Sequence, residues 1–96
     1  MKFTLKVKQK LSVTEFGELT AVKSAGADGS FEAASITFAR RDANTYIRDW
    51  VSGSGMKLRT QKDWVKNPKT KALEKQVMVQ NGAKPETYVF VLETLD

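Results

Sequence analysis

Apolar and charged side chains alternate along the first thirteen residues. The apolar side chains lie at odd positions, namely Phe3, Leu5, Val7, Leu11 and Val13. The lysines lie at even positions, namely Lys2, Lys6, Lys8 and Lys10. Because successive side chains of a β-strand point to opposite faces, this pattern predicts a strand over residues 2–13 with one apolar and one cationic face.

Two further strands are predicted before the first helix. Glu15-Phe16-Gly17 is typical of a turn or bulge, and the second strand follows at about 18–24. Residues 25–30 are rich in Gly, Ala, Asp and Ser and are interpreted as a loop. Ile36 and Phe38 then alternate with smaller residues, which predicts a third strand over about 31–40.

The only predicted helix begins at Asp42, since Asp is a favoured cap for the free N–H groups of a helix. Its apolar residues follow at helical spacing, at Ala43, Tyr46, Ile47, Trp50 and Val51. Tyr46 and Trp50 are interpreted as core residues, because they share the apolar side. The run 52–55, Ser-Gly-Ser-Gly, is expected to end the helix.

Three strands are predicted in the last forty residues, at about 56–65, 72–80 and 87–94. Asn67-Pro68-Lys69-Thr70 is a predicted turn between the first two, and residues 81–85 form a loop before the third. Residues 56–80 are interpreted as a basic β-hairpin arm. The last strand is apolar on both faces, which indicates that it lies inside the sheet.

The predicted order is β-β-β-α-β-β with an extra C-terminal strand, in a single domain of residues 1–96. The class is mainly β (α+β). The first six elements resemble in order the OB-fold, a partly open five-stranded barrel that binds oligonucleotides. A twisted antiparallel sheet with one packed helix fits the same order, and the extra strand either extends the sheet or mediates self-association.

The composition limits the catalytic and metal-binding side chains that the protein can use. The chain has neither cysteine nor histidine, so the commonest general base and metal ligand are both missing. We therefore expect no enzyme, cofactor or metal site, with a metal-dependent nuclease as the remote exception. We also expect a cytoplasmic protein without membrane contact, because no apolar run approaches the roughly 20 residues of a membrane span.

Positive charge is concentrated in two blocks. Residues 1–10 carry four lysines and no acid, and residues 40–75 hold ten Lys/Arg against four Asp/Glu. The rest of the chain is mildly acidic, so the formal net charge is +5. This segregation favours a polyanionic partner.

The candidate binding residues lie in these two blocks. Lys6 and Lys8 recur about 6.6 Å apart along a strand, which is close to the phosphate spacing of an extended single strand. Trp64 lies among basic residues, and such an aromatic can stack on a base. The alternatives are that the lysines only solvate a face and that Trp64 covers the core. The full set is Lys6, Lys8, Lys57, Arg59, Lys62, Trp64, Lys66, Lys69 and Lys71.

These features predict a nucleic-acid-binding protein, with non-sequence-specific binding of single-stranded DNA favoured and RNA as an alternative ligand. A chain this small covers few nucleotides, so we expect a homodimer or cooperative binding along the strand. The alternative is a small phage-type assembly or inhibitor protein in the host cytoplasm that binds an acidic protein partner. In that case the strand 87–95 is a candidate for pairing across a dimer.

Overall fold

The computed structural model describes residues 1–10, 20–21 and 30–95. It contains seven strands and one helix within these ranges: β1 (Lys2–Lys10), β2 (Thr20–Ala21), β3 (Ser30–Glu32), α1 (Ile36–Gly53), β4 (Lys57–Gln61), β5 (Val65–Lys66), β6 (Leu73–Asn81) and β7 (Lys84–Thr94). The predicted turn at 15–17, most of the loop at 25–30 and parts of the first two predicted strands lie outside the described residues.

The strands form one antiparallel sheet in the order β2-β1-β7-β6-β4. β3 also pairs with β1, and β5 also pairs with β6. The path ends at β2 and β4, so the sheet is open rather than closed into a barrel. The mainly β (α+β) class is therefore confirmed, and the antiparallel sheet with one packed helix describes the architecture better than an OB-like barrel does.

The C-terminal strand β7 lies at the centre of the sheet. It pairs with β1 along one edge. Along the other edge it pairs with β6, as far as the pair Asn81↔Lys84 beside the turn. The prediction that this strand lies inside the sheet is confirmed. Because both of its edges are already paired, the hypothesis that residues 87–95 pair across a dimer is wrong.

The helix begins earlier than predicted. Ser35 is its N-cap, with extended backbone and an Oγ that accepts a hydrogen bond from the Phe38 N–H at 3.4 Å. Residues 36–40, which were predicted as strand, are therefore the first five residues of α1. The alternation at Ile36 and Phe38 was misleading, because both of these side chains are exposed and Ala39 is the buried residue.

The end of α1 agrees with the prediction. Ser54 is the C-cap, and Gly55 follows with φ +74°, a left-handed conformation in which a side chain is disfavoured. The Met56 N–H then bonds to the Val51 carbonyl at 3.1 Å, which turns the chain back toward the sheet.

The core lies between α1 and one face of the sheet. The helix buries a residue every fourth position, at Ala39, Ala43, Ile47 and Val51. The sheet presents the odd positions of β1 and β6 and the even positions of β7, which the register places side by side. They include Phe3, Leu5, Val7, Val77, Val79, Phe90 and Leu92, all almost completely buried. We call the opposite side of the sheet, away from α1, the far face.

Residues 57–81 form a hairpin that belongs to the sheet. β4 and β5 both pair with β6, and the register shifts between Leu58 and Thr60, as at a β-bulge. The Lys62 N–H bonds to the Gln76 carbonyl at 3.0 Å in the segment between the two strands. The basic segment is therefore anchored to the sheet along its length rather than extended as a separate arm.

Candidate nucleic-acid interface

Lys6 and Lys8 of β1 lie on the far face. Lys6 pairs with Val91 and Lys8 with Val89, both on β7. The two lysines are half-buried, whereas Val89 and Val91 are buried. Long lysine stems can cover apolar neighbours while the ammonium group stays in water. On the far face, these two lysines of the first strand therefore lie next to a row of apolar side chains on β7.

Two more cations lie on the far face at the opposite side of the sheet. Lys57 of β4 pairs with Gln80 of β6. The bulge turns Arg59 to the same side, where its Nη1 donates to Gln80 Oε1 at 3.4 Å. Both residues are exposed. β1 and β4 are three strand spacings apart, about 14 Å, so the four cations border a neutral band two strands wide.

The band between these cations is mainly neutral. On β6, Gln76 and Met78 lie on the far face, and the Met78 side chain is 41% exposed. Two carboxylates, Glu74 and Glu93, lie toward the opposite end of the strands from Lys57. Glu74 accepts a hydrogen bond from the Asn67 side-chain amide at 3.1 Å. The far face thus carries cations at its two sides, and Glu74 lies in the same cross-strand row as Lys6, at the end away from Lys57.

The remaining lysines of the predicted set lie elsewhere. Lys62 is exposed between β4 and β5. Lys66, Lys69 and Lys71 surround the turn between β5 and β6, and Lys66 pairs with Leu73, which places it on the helix side of the sheet. The nine predicted residues therefore do not form one continuous surface.

Trp64 packs toward the helix. It is half-buried against the core, and its indole N–H donates to the side-chain oxygen of Asn44 on α1 at 3.2 Å. The Lys75 ammonium lies 5.7 Å from the centre of its ring. Trp64 is therefore separated from the lysines of the far face, and base stacking by this residue stays a prediction without geometric support.

Lys75 is a buried cation that the charge pattern alone did not distinguish from its neighbours. Its side chain is only 6% exposed, and its Nζ donates to the same Asn44 oxygen at 2.7 Å. Burial lowers the pKa of Lys75, and the negative charge of Asp63 opposes that shift. The signal available in the sequence was its odd position in β6, in phase with Leu73 and Val77.

The described aromatic side chains of the sheet lie on the helix side. Trp50 packs edge-on against Tyr88 and Phe90, with ring centres 5.0 and 5.6 Å apart. Tyr46 packs edge-on against Phe31 at 5.2 Å. The prediction that Tyr46 and Trp50 face the core is therefore confirmed. The register places no aromatic residue on the far face of β1, β4, β6 or β7.

Glu86 is the common acceptor of a polar cluster near the start of β7, on the helix side of the sheet. Its carboxylate accepts hydrogen bonds from Gln9 of β1, from Asn81 at 2.6 Å and from the Tyr88 hydroxyl at 3.3 Å. The pKa of Tyr88 is raised, mainly by burial and further by the charge and hydrogen bond of Glu86. This cluster joins three strands and has no cation among these contacts.

No group of three or more Asp or Glu side chains in the described ranges is arranged to hold a metal ion. The one described helix, α1, is too polar to cross a membrane.

Comparison with protein families, curated proteins and solved structures finds no match for this chain.

Proposed function

We propose that this protein binds nucleic acid, with single-stranded DNA as the favoured ligand and RNA as the alternative, through the far face of its sheet. The supporting observation is that Lys6 and Lys8 on β1 and Lys57 and Arg59 on β4 lie on the same face. The strand would lie across the neutral band, with its phosphates at the two cationic sides. The cytoplasm is the compartment that we propose for this function.

The binding would be electrostatic and largely independent of sequence. Lysine contacts phosphate as a point charge, and counterion release provides most of the binding free energy. Stacking would contribute little, because the far face presents no described aromatic ring. With four phosphates engaged, the logarithm of the affinity should fall against the logarithm of the salt concentration with a slope of about −2.8.

Fluorescence anisotropy of labelled oligo(dT), measured over a series of salt concentrations, tests this proposal. The variant K57Q/R59Q removes half of the cations and should reduce the slope to about −1.4. The matched control is R48Q/K84Q, because it also removes one arginine and one lysine that are exposed, from the outer surface of α1 and the start of β7. The control should retain more of the affinity and the steeper slope.

Three results would contradict the proposal. One is an affinity that does not depend on salt. Another is an equal loss of binding in both double variants, which would indicate a response to net charge alone. The third is equal binding of polyglutamate and oligo(dT), which would instead support an acidic protein partner. A duplex of the same length shows whether the single strand is preferred.

A further inference from the structure

A small pocket lies where α1 begins, on the helix side of the sheet. Its volume is about 210 Å³, and its walls are Ile36, Lys66, Lys71, Leu73, Leu92 and Thr94. Lys66 pairs with Leu73, which in turn pairs with Leu92, so one row across three strands forms its base. Ile36, the first residue of α1, forms another part of its wall.

The inside of the pocket is apolar. Leu92 is almost completely buried, Leu73 is half-buried, and Ile36 is 38% exposed. Pockets for drug-sized ligands have volumes of roughly 300–1,000 Å³, so this one suits a smaller molecule. Exposed apolar side chains around a concave surface are typical of ligand-binding sites.

The rim of the pocket is cationic. Lys66 and Lys71 are exposed, and neither forms an ion pair with another described residue. The turn holds Lys71 in place, because its N–H donates to the Asn67 carbonyl at 2.7 Å and its backbone has φ 61°. Lys66, at the end of β5, and Lys71, in the turn that follows, therefore both line the pocket beside its apolar residues.

The surroundings also favour a negative ligand. α1 has no acidic residue in its first turn, so no side chain there offsets the positive end of its dipole. Glu74 accepts a hydrogen bond from the Asn67 side chain and lies on the far face. Among the described carboxylates, Glu93 lines a neighbouring depression that shares Lys71 and Thr94 with the pocket.

We propose that this pocket binds a small amphiphilic anion, with its apolar body against Ile36, Leu73 and Leu92 and its carboxylate or phosphate head between Lys66 and Lys71. The apolar walls and the two cations complement the two ends of such a molecule. This site is independent of the proposed nucleic-acid interface, which lies on the other side of the sheet.

Titration of the ¹⁵N-labelled protein with hexanoate, hexyl phosphate and the neutral 1-hexanol, followed by amide shifts, tests the proposal. The anions should shift residues 36, 66, 71–73 and 92–94, and 1-hexanol should bind at least about tenfold more weakly. Comparing hexanoate with hexyl phosphate identifies the preferred head group. Inorganic phosphate should bind more weakly than hexyl phosphate, because it lacks the apolar body.

Two double variants complete the test. K66Q/K71Q should weaken hexanoate binding at least about tenfold. K62Q/K69Q removes two charges from the same segment but none from the pocket, so hexanoate should bind as it does to the unmodified protein. The proposal is overturned by equal binding of hexanoate and 1-hexanol, by equal effects of the two variants, or by shifts that do not centre on the pocket. None of these outcomes bears on oligo(dT) binding by the far face.

Discussion

The Lys75 ammonium donates a hydrogen bond to the side-chain oxygen of Asn44 at 2.7 Å and thereby joins the centre of the sheet to α1. The same oxygen accepts the indole N–H of Trp64 at 3.2 Å. Asn44 is thus the shared acceptor of two donors, one on the buried Lys75 and one on the half-buried Trp64. Buried donors are costly when unpaired, so this contact stabilises the packing of the basic hairpin on the helix.

Replacing Asn44 should destabilise the protein more than replacing Lys75. Asn44→Ala leaves both donors without their acceptor and should lower the free energy of unfolding by about 2–3 kcal/mol. Lys75→Met keeps an apolar stem of similar length and removes a buried charge, so it should change stability by less than about 1 kcal/mol. Urea unfolding measures both values.

The double variant N44A/K75M tests the coupling between the two residues. It should lose less stability than the sum of the single variants, because no lysine remains unpaired. Strictly additive effects would show that Lys75 does not depend on Asn44.

Trp64→Phe separates packing from base stacking. The change removes the N–H donor to Asn44 and should cost about 1 kcal/mol of stability in urea unfolding. It should leave oligo(dT) affinity unchanged in the anisotropy assay, since Trp64 lies on the helix side of the sheet. A large loss of affinity in a folded variant would restore Trp64 to the binding surface.

Tyr88 should titrate above its ordinary pKa of 10. Glu86→Gln removes a negative charge beside the hydroxyl and should lower the pKa of Tyr88, although burial, the larger cause, should keep it above 10. Tyrosinate absorbance, measured in a Tyr46→Phe background, reports Tyr88 alone. Glu93→Gln is the control, because it removes a carboxylate of the same strand on the far face.

The raised pKa of Tyr88 also fixes the direction of a pH effect on stability. Above pH 10 the unfolded chain loses this proton before the folded protein does. The contribution of Tyr88 to stability is therefore complete below pH 10 and is lost as the pH rises through its folded-state pKa. The free energy of unfolding, measured with urea at alkaline pH, should fall less with rising pH for Glu86→Gln than for the unmodified protein.

Substitutions at Ser35 and Asp42 test where α1 begins. Ser35→Ala removes the hydroxyl that caps the Phe38 N–H and should cost about 1 kcal/mol. Asp42→Ala should change stability by no more than about 0.5 kcal/mol. Asp42 is inside the helix, and its ion pair with the exposed Arg41 is long, at 4.0 Å, so the pair contributes little. Thermal unfolding compares the two, and a larger cost at Asp42 would support the later start.

Gly53 and Gly55 should respond to alanine in opposite directions. Gly53 ends α1 with open space around it, so Gly53→Ala should stabilise the protein by about 0.5 kcal/mol. Gly55 has φ +74°, and Gly55→Ala should cost about 1 kcal/mol or more. Equal effects at the two positions, measured by urea unfolding, would contradict the observed end of the helix.

Local patterns determined much of this fold. The alternation along residues 2–10, the glycines after Val51 and the turn at 67–70 each predict their structure, because period-two burial and left-handed backbone depend on neighbours in sequence. The apolar character of both faces of residues 87–94 likewise indicated a central strand. The same periodicity assigned the lysines of β1 to one face.

Tertiary structure decided what local pattern could not. Residues 36–40 alternate like a strand, yet Ser35 caps a helix there, because Ala39 packs on the sheet while Ile36 and Phe38 remain exposed. The sequence placed Trp64 among lysines, but only the pairing of β5 with β6 turns it toward Asn44. Likewise, Lys57 and Arg59 share the far face with Lys6 and Lys8 because β7 and β6 lie between their strands. Which face a charge occupies follows from register and strand order, and these are set by contacts between residues far apart in the chain.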